Sequence, residues 1–255
     1  MVICSYGGGT NSTAMLIELL ERGESLDAVL FADTGGEKPE TYAYLKTIDD
    51  WLHSNGMPRL TIVRKVDKNG AIHTLEQSCL SRNALPSIAY GFKRCSQQFK
   101  IAPQDKWMNN NEQCREAWAR GERVTKLIGY DMDERHRWEN KDWSDAKYIY
   151  RAPLVEWNMG RDECIDTIRR AGLPLPGKSS CFFCPASKKP EIVQLYKRHP
   201  ELVERAIAME NNAELTTVKG LGRRFAWRDF IYAEQQQWQM FPDSGLEIDC
   251  GCYDG

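Results

Sequence analysis

Apolar runs and amphipathic stretches alternate along the first two thirds of the chain. Residues 3–6 form a short apolar run that favours a strand, and residues 12–22 have the apolar content of a helix packed on a sheet. The continuous apolar run of residues 28–32 predicts a second strand, parallel to the first because a helix separates them. Further strands are predicted at residues 60–66, 124–130 and 148–150, and further helices at residues 39–55, 71–81 and 162–171. This alternation predicts an α/β fold with an open, mostly parallel sheet flanked by helices.

The pattern changes near residue 174. Pro174, Pro176 and Gly177 interrupt it, and helices are predicted at residues 190–198, 200–212 and 227–239. We therefore expect an α/β domain over residues 1–173, followed by a small, cysteine-containing helical subdomain over residues 174–255.

A glycine-rich turn joins the first strand to the first helix. Consecutive glycines let the backbone approach an anion closely, and the helix that follows directs unpaired N–H groups and the positive end of its dipole at the same place. The turn therefore indicates phosphate binding, although a tight turn without a ligand would use the same residues. The groups expected to hold phosphate are the amides of Gly7, Gly8, Gly9, Thr10 and Asn11 and the hydroxyls of Ser5, Thr10 and Ser12.

Composition narrows the class of protein. The chain has 34 Lys and Arg residues and 36 Asp and Glu residues. The net charge of −2 gives no overall reason to expect binding to nucleic acid, although a local basic patch can exist. No apolar run reaches the roughly 18 residues of a membrane span, and no signal peptide is recognisable, which favours a soluble cytoplasmic protein. Nine cysteines in such a protein point to metal binding or reactive thiols rather than disulfides. Four of them lie in strand or helix patterns and are expected to be packing residues: Cys4, Cys79, Cys114 and Cys164.

The glycine turn resembles the PP-loop, Ser-Gly-Gly-x-Asp-Ser, of the ATP-pyrophosphatase (adenine nucleotide α-hydrolase-like) superfamily. Gly7 and Asn11 stand where that pattern has Ser and Asp. Three later segments, in order, are similar to landmarks of the phosphoadenosine phosphosulfate reductase family within that superfamily. They are residues 31–41 with Asp33-Thr34-Gly35, residues 128–137 with Gly129, and residues 152–157. The resemblance extends from residue 3 to about residue 190 and implies an adenine nucleotide site.

The resemblance also suggests roles for single residues. Asp33, Thr34 and Gly35 would line the nucleoside side, and Gly129 would lie at the nucleotide site. Four basic residues are candidates to neutralise phosphate or sulfate, the last two of them as catalytic residues: Arg94, Lys100, Arg135 and Arg137. For any one basic residue taken alone, a surface salt bridge is the commoner interpretation.

Cysteines are the second part of the resemblance. Cys95, in an Arg-Cys-Ser-x-x-x-Lys context, and the Cys181-x-x-Cys184 pair resemble the branch of the family whose thiolates bind a [4Fe–4S] cluster. The fourth ligand would be Cys250 or Cys252, a non-protein group, or absent, and an open iron position could carry sulfide for transfer. Zinc is the competing metal, since thiolates bind both, and a site without metal is the third interpretation.

Three functions fit these features. The first is an ATP-using, cluster-dependent sulfurtransferase that activates an acceptor, a nucleic acid or a small molecule, by adenylylation, with Mg²⁺ as a further candidate cofactor. The second is reduction of adenylyl sulfate or its 3′-phosphate to sulfite, with Cys250 or Cys252 as the nucleophile and a thioredoxin-like dithiol as the reductant. The third is a nucleotide- or nucleic-acid-binding module that has lost catalysis, which the departures at Gly7 and Asn11 motivate.

Overall fold

Five parallel strands form one sheet in the computed structural model, which describes residues 1–240. The strands are β1 (Val2–Tyr6), β2 (Ala28–Asp33), β3 (Leu60–Arg64), β4 (Val124–Ile128) and β5 (Tyr148–Arg151). Their order across the sheet is β3-β2-β1-β4-β5, and every neighbouring pair is parallel. In the centre, Cys4 of β1 lies opposite Val29 of β2 and Leu127 of β4. The predicted α/β fold with a parallel sheet is confirmed, and the carboxyl ends of all strands meet at one edge.

Twelve α-helices accompany the strands within the described residues. They are α1 (Thr10–Glu21), α2 (Pro39–Ser54), α3 (Leu75–Leu80), α4 (Arg94–Ser96), α5 (Ala102–Asn110), α6 (Glu112–Ala119), α7 (Arg135–Glu139), α8 (Pro153–Glu156), α9 (Arg161–Arg170), α10 (Lys189–Arg198), α11 (Pro200–Asn212) and α12 (Trp227–Met240). The helix predicted at residues 71–81 begins only at Leu75, because the Thr74 hydroxyl caps it by accepting from the amide of Gln77 at 3.1 Å. No helix among these is both long and apolar enough to span a membrane.

The chain forms two compact units, and each is considered by itself below. The sheet unit comprises Met1–Ile72 and Gln98–Ser179, and the helical unit comprises His73–Gln97 and the residues from Ser180 onward. The division into domains at residue 173 stays a prediction.

The sheet unit has an apolar core on each face of the sheet. Cys4 and Tyr6 of β1 face a cluster that includes Leu16 of α1 and Ile168 of α9, and Ile3 faces the other cluster with Met108 of α5. All of these side chains are buried, and fully burying a side chain such as Leu or Ile stabilises a fold by about 1.5–3 kcal/mol.

A buried carboxylate joins α1 to α9. Glu18 of α1 accepts hydrogen bonds from Thr167 Oγ1 at 2.8 Å and from the Arg170 guanidinium at 3.1 Å. Because a buried charge is costly unless it is paired and hydrogen-bonded, these bonds fix the rotation of α9 about its axis relative to α1.

The end of β4 passes very close to the start of α1. A Cβ atom on Gly129 would lie 3.0 Å from the Ser12 amide nitrogen and 3.1 Å from its Cα. Only a residue without a side chain fits against that backbone unmoved, which explains the glycine at position 129. The strand itself ends at Ile128, two residues before the end of the predicted one.

We expect Gly129→Ala to destabilise the protein by about 1–3 kcal/mol, because the added methyl group must displace helix backbone rather than a flexible side chain. Urea unfolding measures the change. The matched control is Gly177→Ala, at a position where a Cβ meets nothing within 4 Å, and it should unfold like the wild type. Equal stability of the two variants would contradict the proposed backbone contact.

Candidate functional site

The glycine turn forms the start of α1 at the carboxyl edge of the sheet. Gly8 has φ +75°, and a Cβ there would lie 3.2 Å from Phe31 and 3.3 Å from Thr41. Both the left-handed backbone and the crowding therefore require glycine at this position. The amide of Thr13 makes the first helical hydrogen bond of α1, donating to the Gly9 carbonyl at 3.1 Å.

The Ser12 hydroxyl occupies the inside of this turn. It accepts from the amides of Gly7 at 3.2 Å and Gly9 at 3.4 Å, and it donates to the Gly9 carbonyl at 3.1 Å. Two of the amides expected to hold phosphate thus already have a partner within the turn. The amides of Thr10, Asn11 and Ser12, which precede the first intrahelical bond, can still bind an anion.

Asn11 connects the turn to two charged side chains. Its Nδ2 donates to Glu134 Oε2 at 3.4 Å, and its Oδ1 accepts from the Arg161 guanidinium at 2.9 Å. An aspartate at this position could not donate to Glu134 and would place a second carboxylate beside it. The departure from the PP-loop pattern therefore has a local physical reason.

Arg161 is a residue that the sequence analysis missed. Its Nε is buried and has no hydrogen-bond partner in the described part of the chain, while its backbone amide donates to Asp133 Oδ2 at 3.1 Å. It brings a positive charge to the start of α1. The sequence feature that could have indicated it is Gly160-Arg161, which begins a helix shortly after the landmark at residues 152–157.

Asp33 organises the loop after β2. Its carboxylate accepts from the Gly35 amide, the Tyr42 hydroxyl and Arg64 Nε, each at 2.8 Å. Burial, and next the hydrogen bond to Asp33, raise the pKa of Tyr42, so this hydroxyl remains a donor. Thr34 Oγ1 donates to Glu37 at 3.2 Å and completes the loop. The contacts of Asp33, Thr34 and Gly35 in this structure hold the loop in shape, and their place on the nucleoside side stays a prediction.

Glu37 carries a buried charge next to this loop. Its Oε1 lies 3.6 Å from Lys100 Nζ, and its Oε2 has no hydrogen-bond partner among the described residues. Lys100 also lines the cavity described next. The predicted cation at Lys100 is therefore at the carboxyl edge of the sheet, held beside a carboxylate.

A cavity of about 300 Å³ lies beside the glycine turn, bounded by Ser5–Gly7, the ends of β2 and β4, and α5. Ser5 Oγ closes one side by donating to Gln104 of α5 at 2.6 Å. The opposite wall is aromatic, with the rings of Trp143 and Tyr150 4.9 Å apart. This volume is within the range of small-molecule sites.

Three lysines and one aspartate, Asp105, line the cavity. Lys126 is buried in β4, where its Nζ lies 2.6 Å from Asp105 and 3.5 Å from the centre of the Tyr148 ring. Lys141 lies 3.8 Å from the centre of the Trp143 ring, and both lysines line the cavity with Lys100. A planar ring attached to an anionic group matches this combination of aromatic and cationic walls. In the sequence, Lys126 could have been recognised as a candidate site residue because it is a lysine within an apolar strand.

The loop after β4 holds the two arginines predicted to be catalytic. Arg137 is paired with Glu134 and lies 4.9 Å from the centre of the Tyr130 ring, while Arg135 is paired with Glu139 at 2.6 Å. Both arginines are exposed and neither lines the cavity. They occur in surface ion pairs, and a catalytic role for either stays a prediction. In the same loop, burial raises the pKa of Asp131.

The remaining predicted residues lie in the helical unit or beyond the described residues. Arg94 is exposed, with its guanidinium 6.0 Å from the centre of the Phe92 ring. The Cys95 amide donates to Ser87 Oγ at 3.0 Å, and the Cys184 amide donates to the Cys181 carbonyl at 3.0 Å in a tight turn. Cys250 and Cys252 lie outside the described residues.

The donor chemistry of Cys95, Cys181 and Cys184 suits iron or zinc, since all three are thiols of one unit. Over residues 1–240, however, no three Cys, His, Asp or Glu side chains are grouped closely enough to hold a metal ion. The thiols are therefore a donor set of the right kind that this structure does not bring into one coordination sphere, and the ligand set stays a prediction.

The four cysteines expected to be packing residues are confirmed as buried: Cys4, Cys79, Cys114 and Cys164. Burial raises the pKa of the thiols of Cys79 and Cys164 to about 12. Such thiols stay protonated at neutral pH and are poor nucleophiles.

Comparisons with known proteins agree with this architecture. Sixteen chains of solved structures match, among them the U34-tRNA thiolase NcsA from Methanococcus maripaludis with its [4Fe–4S] cluster, at 13% identity and a TM-score of 0.43, over 100% of this chain and 76% of that one. That similarity is too low to carry an argument about either fold or activity. No curated protein sequence matches the chain.

A family model described as the phosphoadenosine phosphosulfate reductase domain matches residues 1–175, which contain the parallel sheet, the glycine turn and the cavity beside it. The chain belongs to the phosphoadenosine phosphosulfate reductase domain family.

Proposed function

We propose that this protein is a sulfur-transfer enzyme that binds ATP and activates an acceptor by adenylylation. The observation that carries the proposal is the cavity of about 300 Å³, lined by lysines and aromatic rings, directly beside the glycine turn that opens α1. Membership of the family supports the nucleotide-binding part of the proposal. Adenylylation and the choice of ATP are the steps that experiments must test.

In this proposal the cavity takes the adenine ring, and the phosphates reach the start of α1. The amides of Thr10, Asn11 and Ser12 bind phosphate oxygens, and Arg161 adds a guanidinium next to them. Gly8 is needed because only glycine lets the backbone turn at that point without contact with Phe31.

The chemistry then follows from where charge develops. An oxygen of the acceptor attacks the α-phosphorus, a new O–P bond forms, and the bond to the departing pyrophosphate breaks. The positive end of the α1 dipole and Arg161 stabilise the charge on pyrophosphate. A sulfur nucleophile afterwards replaces the activated oxygen, and AMP leaves with that oxygen. Lys100 and Lys126 lie at the cavity paired with Glu37 and Asp105, and Lys141 adds a further positive charge.

We also propose that Cys95, Cys181 and Cys184 bind a [4Fe–4S] cluster, with Cys250 or Cys252 as the candidate fourth ligand. The support is that three thiols of the helical unit lie in the sequence contexts described above. If Cys95, Cys181 and Cys184 are the only protein ligands and no tail cysteine binds, the cluster would have an open iron position that could hold the sulfide for transfer.

A second function, reduction of adenylyl sulfate or its 3′-phosphate to sulfite, is favoured by the family's description and by the two cysteines near the C-terminus. Its nucleophile would be Cys250 or Cys252. The same nucleotide site would serve it, so products rather than binding separate the two functions.

We expect Arg161→Met to weaken ATP binding by roughly tenfold or more, because it removes a charge-assisted hydrogen bond to phosphate. Isothermal titration of the protein with ATP measures this. Arg169→Met is the matched control, since Arg169 lies on the same helix and is exposed in an ion pair with Asp166. If both variants bind ATP like the wild type, Arg161 has no part in the site.

We expect ATP to release pyrophosphate only when the right acceptor is added. A coupled pyrophosphate assay would compare ATP alone with ATP plus bulk cellular RNA, bulk DNA, or a small-metabolite fraction. Gly8→Ala should abolish the release, because its Cβ would lie 3.2 Å from Phe31 in a left-handed backbone, while Gly177→Ala should retain it. Sulfite formed from adenylyl sulfate, without pyrophosphate release in any mixture, would replace this function by the second one.

Anaerobically purified protein should be brown and contain about four iron and four sulfide per chain. Cys181→Ser should lose most of both, and Cys114→Ala, which changes a buried cysteine of the sheet unit, should retain them. Metal analysis and an absorption spectrum decide between the metals. Zinc alone, or no metal in the wild type, would remove the cluster from the proposal.

A further inference from the structure

The segment that leads from the loop after α11 into the first turn of α12, in the helical unit, carries a concentration of positive charge. Residues 219–228, here called the basic loop, contain four Lys or Arg and no Asp or Glu. The described part of the helical unit has twelve Lys and Arg against eight Asp and Glu, whereas the sheet unit has 22 against 24. Residues 241–255 add four Asp and Glu and no Lys or Arg, so the positive balance belongs to the described part of the helical unit and not to the unit as a whole.

Buried anchors separate the charged residues of the basic loop. Leu221 and Trp227 are fully buried. The residues between and beside them that carry charge are all exposed: Lys219, Arg223, Arg224 and Arg228. The loop is thus fixed from below by apolar side chains and presents its cations to solvent.

A single carboxylate holds the backbone of the loop. Glu210 of α11 is only 2% exposed and accepts from the amides of Leu221 at 2.7 Å, Trp227 at 2.9 Å and Arg228 at 3.3 Å. A Cβ on Gly220 would lie 2.2 Å from Glu210 Oε2, so glycine is required where the loop passes this carboxylate. The loop is ordered before any ligand binds, which lowers the entropic cost of binding.

Arg223 has a backbone conformation that is unfavourable for a residue with a side chain. Its φ is +63°, in the left-handed region that favours glycine, and its carbonyl accepts from the Lys219 amide at 2.8 Å. A non-glycine residue held there costs about 1–3 kcal/mol. An arginine at this position needs a reason other than the stability of the turn.

The charge of the loop is largely uncompensated. Lys219, Arg223 and Arg224 form no ion pair with any described residue, and only Arg228 lies near a carboxylate, 3.4 Å from Asp229. In the sheet unit, by contrast, arginines such as Arg59 and Arg64 are paired with aspartates at 2.7 and 2.8 Å. Cations that repel each other without counter-charges attract a polyanion.

Aromatic rings lie in the same part of the helical unit. The rings of Phe225 and Phe230 are 5.6 Å apart, and Lys189 lies 5.3 and 5.1 Å from their centres. Tyr232 on α12 is 65% exposed, the largest exposed fraction among the large apolar side chains described. Cations beside an exposed ring match a strand that has both phosphates and unstacked bases.

We propose that the basic loop, together with Tyr232, binds single-stranded nucleic acid through its phosphodiester backbone. The arginines and Lys219 contact phosphates, and Tyr232 stacks on a base. If the proposed function holds, the strand bound here contains the acceptor, but the binding itself requires neither ATP nor a metal.

Fluorescence anisotropy with a labelled 20-nucleotide RNA of mixed sequence tests the proposal, at several salt concentrations and without ATP. Arg223→Ala/Arg224→Ala should weaken binding by roughly tenfold or more and reduce the slope of log K against log salt by about 0.7 for each phosphate that the variant no longer neutralises. The matched control is Arg115→Ala/Arg123→Ala, which removes two exposed arginines of the sheet unit. Tyr232→Ala should cost at least about fivefold.

A second variant separates weaker RNA binding from misfolding. Arg223→Gly relieves the left-handed strain, so it should unfold at an equal or higher urea concentration than the wild type and still bind the RNA more weakly. Equal RNA affinity for this variant and the wild type would overturn the proposal, as would equal losses in the control pair.

Competing ligands decide the class of partner. The same RNA should be displaced by unlabelled single-stranded DNA or RNA and not by polyglutamate at equal charge. Displacement by polyglutamate would replace the nucleic acid by an acidic protein, and a preference for a 20-base-pair duplex would overturn the assignment to single strands. Failure of the proposed function is seen separately, as absence of pyrophosphate release with RNA binding intact.

Discussion

Parallel pairing of β1 with both β2 and β4 is the constraint on which the site depends. Because Cys4 lies opposite both Val29 and Leu127, the three strands end at one edge, and the segments that follow them meet there. Those segments are the glycine turn, the loop of Asp33 and the step at Gly129. Each is ordinary by itself, and parallel register makes them one site.

Backbone proximity then couples these segments to each other. Gly129 lies against the backbone of Ser12, while the Ser12 hydroxyl holds the amides of Gly7 and Gly9. A movement of the end of β4 would therefore move the glycine turn. Asn11 extends the coupling to Arg161, the residue that opens α9. The charge beside the glycine turn is thus set in part by a helix distant in sequence.

The sequence allowed prediction of those features that are local or periodic. The strands, the longer helices and the carboxyl-edge loops follow from apolar patterning and from glycine, and the burial of Cys4 and Cys164 follows from their positions in such elements. What it missed depends on partners distant along the chain. Nothing local to Lys126 reveals that Asp105 pairs with it, and nothing near Ser12 shows that its hydroxyl occupies amides expected to bind phosphate. Arg135 and Arg137 are paired with Glu139 and Glu134, which a charge run in the sequence does not reveal, and their catalytic role stays a prediction.

The departures from the PP-loop pattern look different once the neighbours of the turn are known. Asn11 can donate to Glu134 and accept from Arg161 at once, which an aspartate cannot do, so the asparagine avoids a further carboxylate beside Glu134 at the start of α1. With aspartate, the guanidinium of Arg161 would be neutralised within the protein instead of being available to an anion. Gly7 loses a hydroxyl, but the Ser12 hydroxyl already accepts from its amide, and a Cβ there would meet only Ser12 Oγ at 3.8 Å. The positive charge at this turn therefore comes from Arg161 and not from the residues of the turn itself. This favours a site that can still bind phosphate over one that has lost that ability.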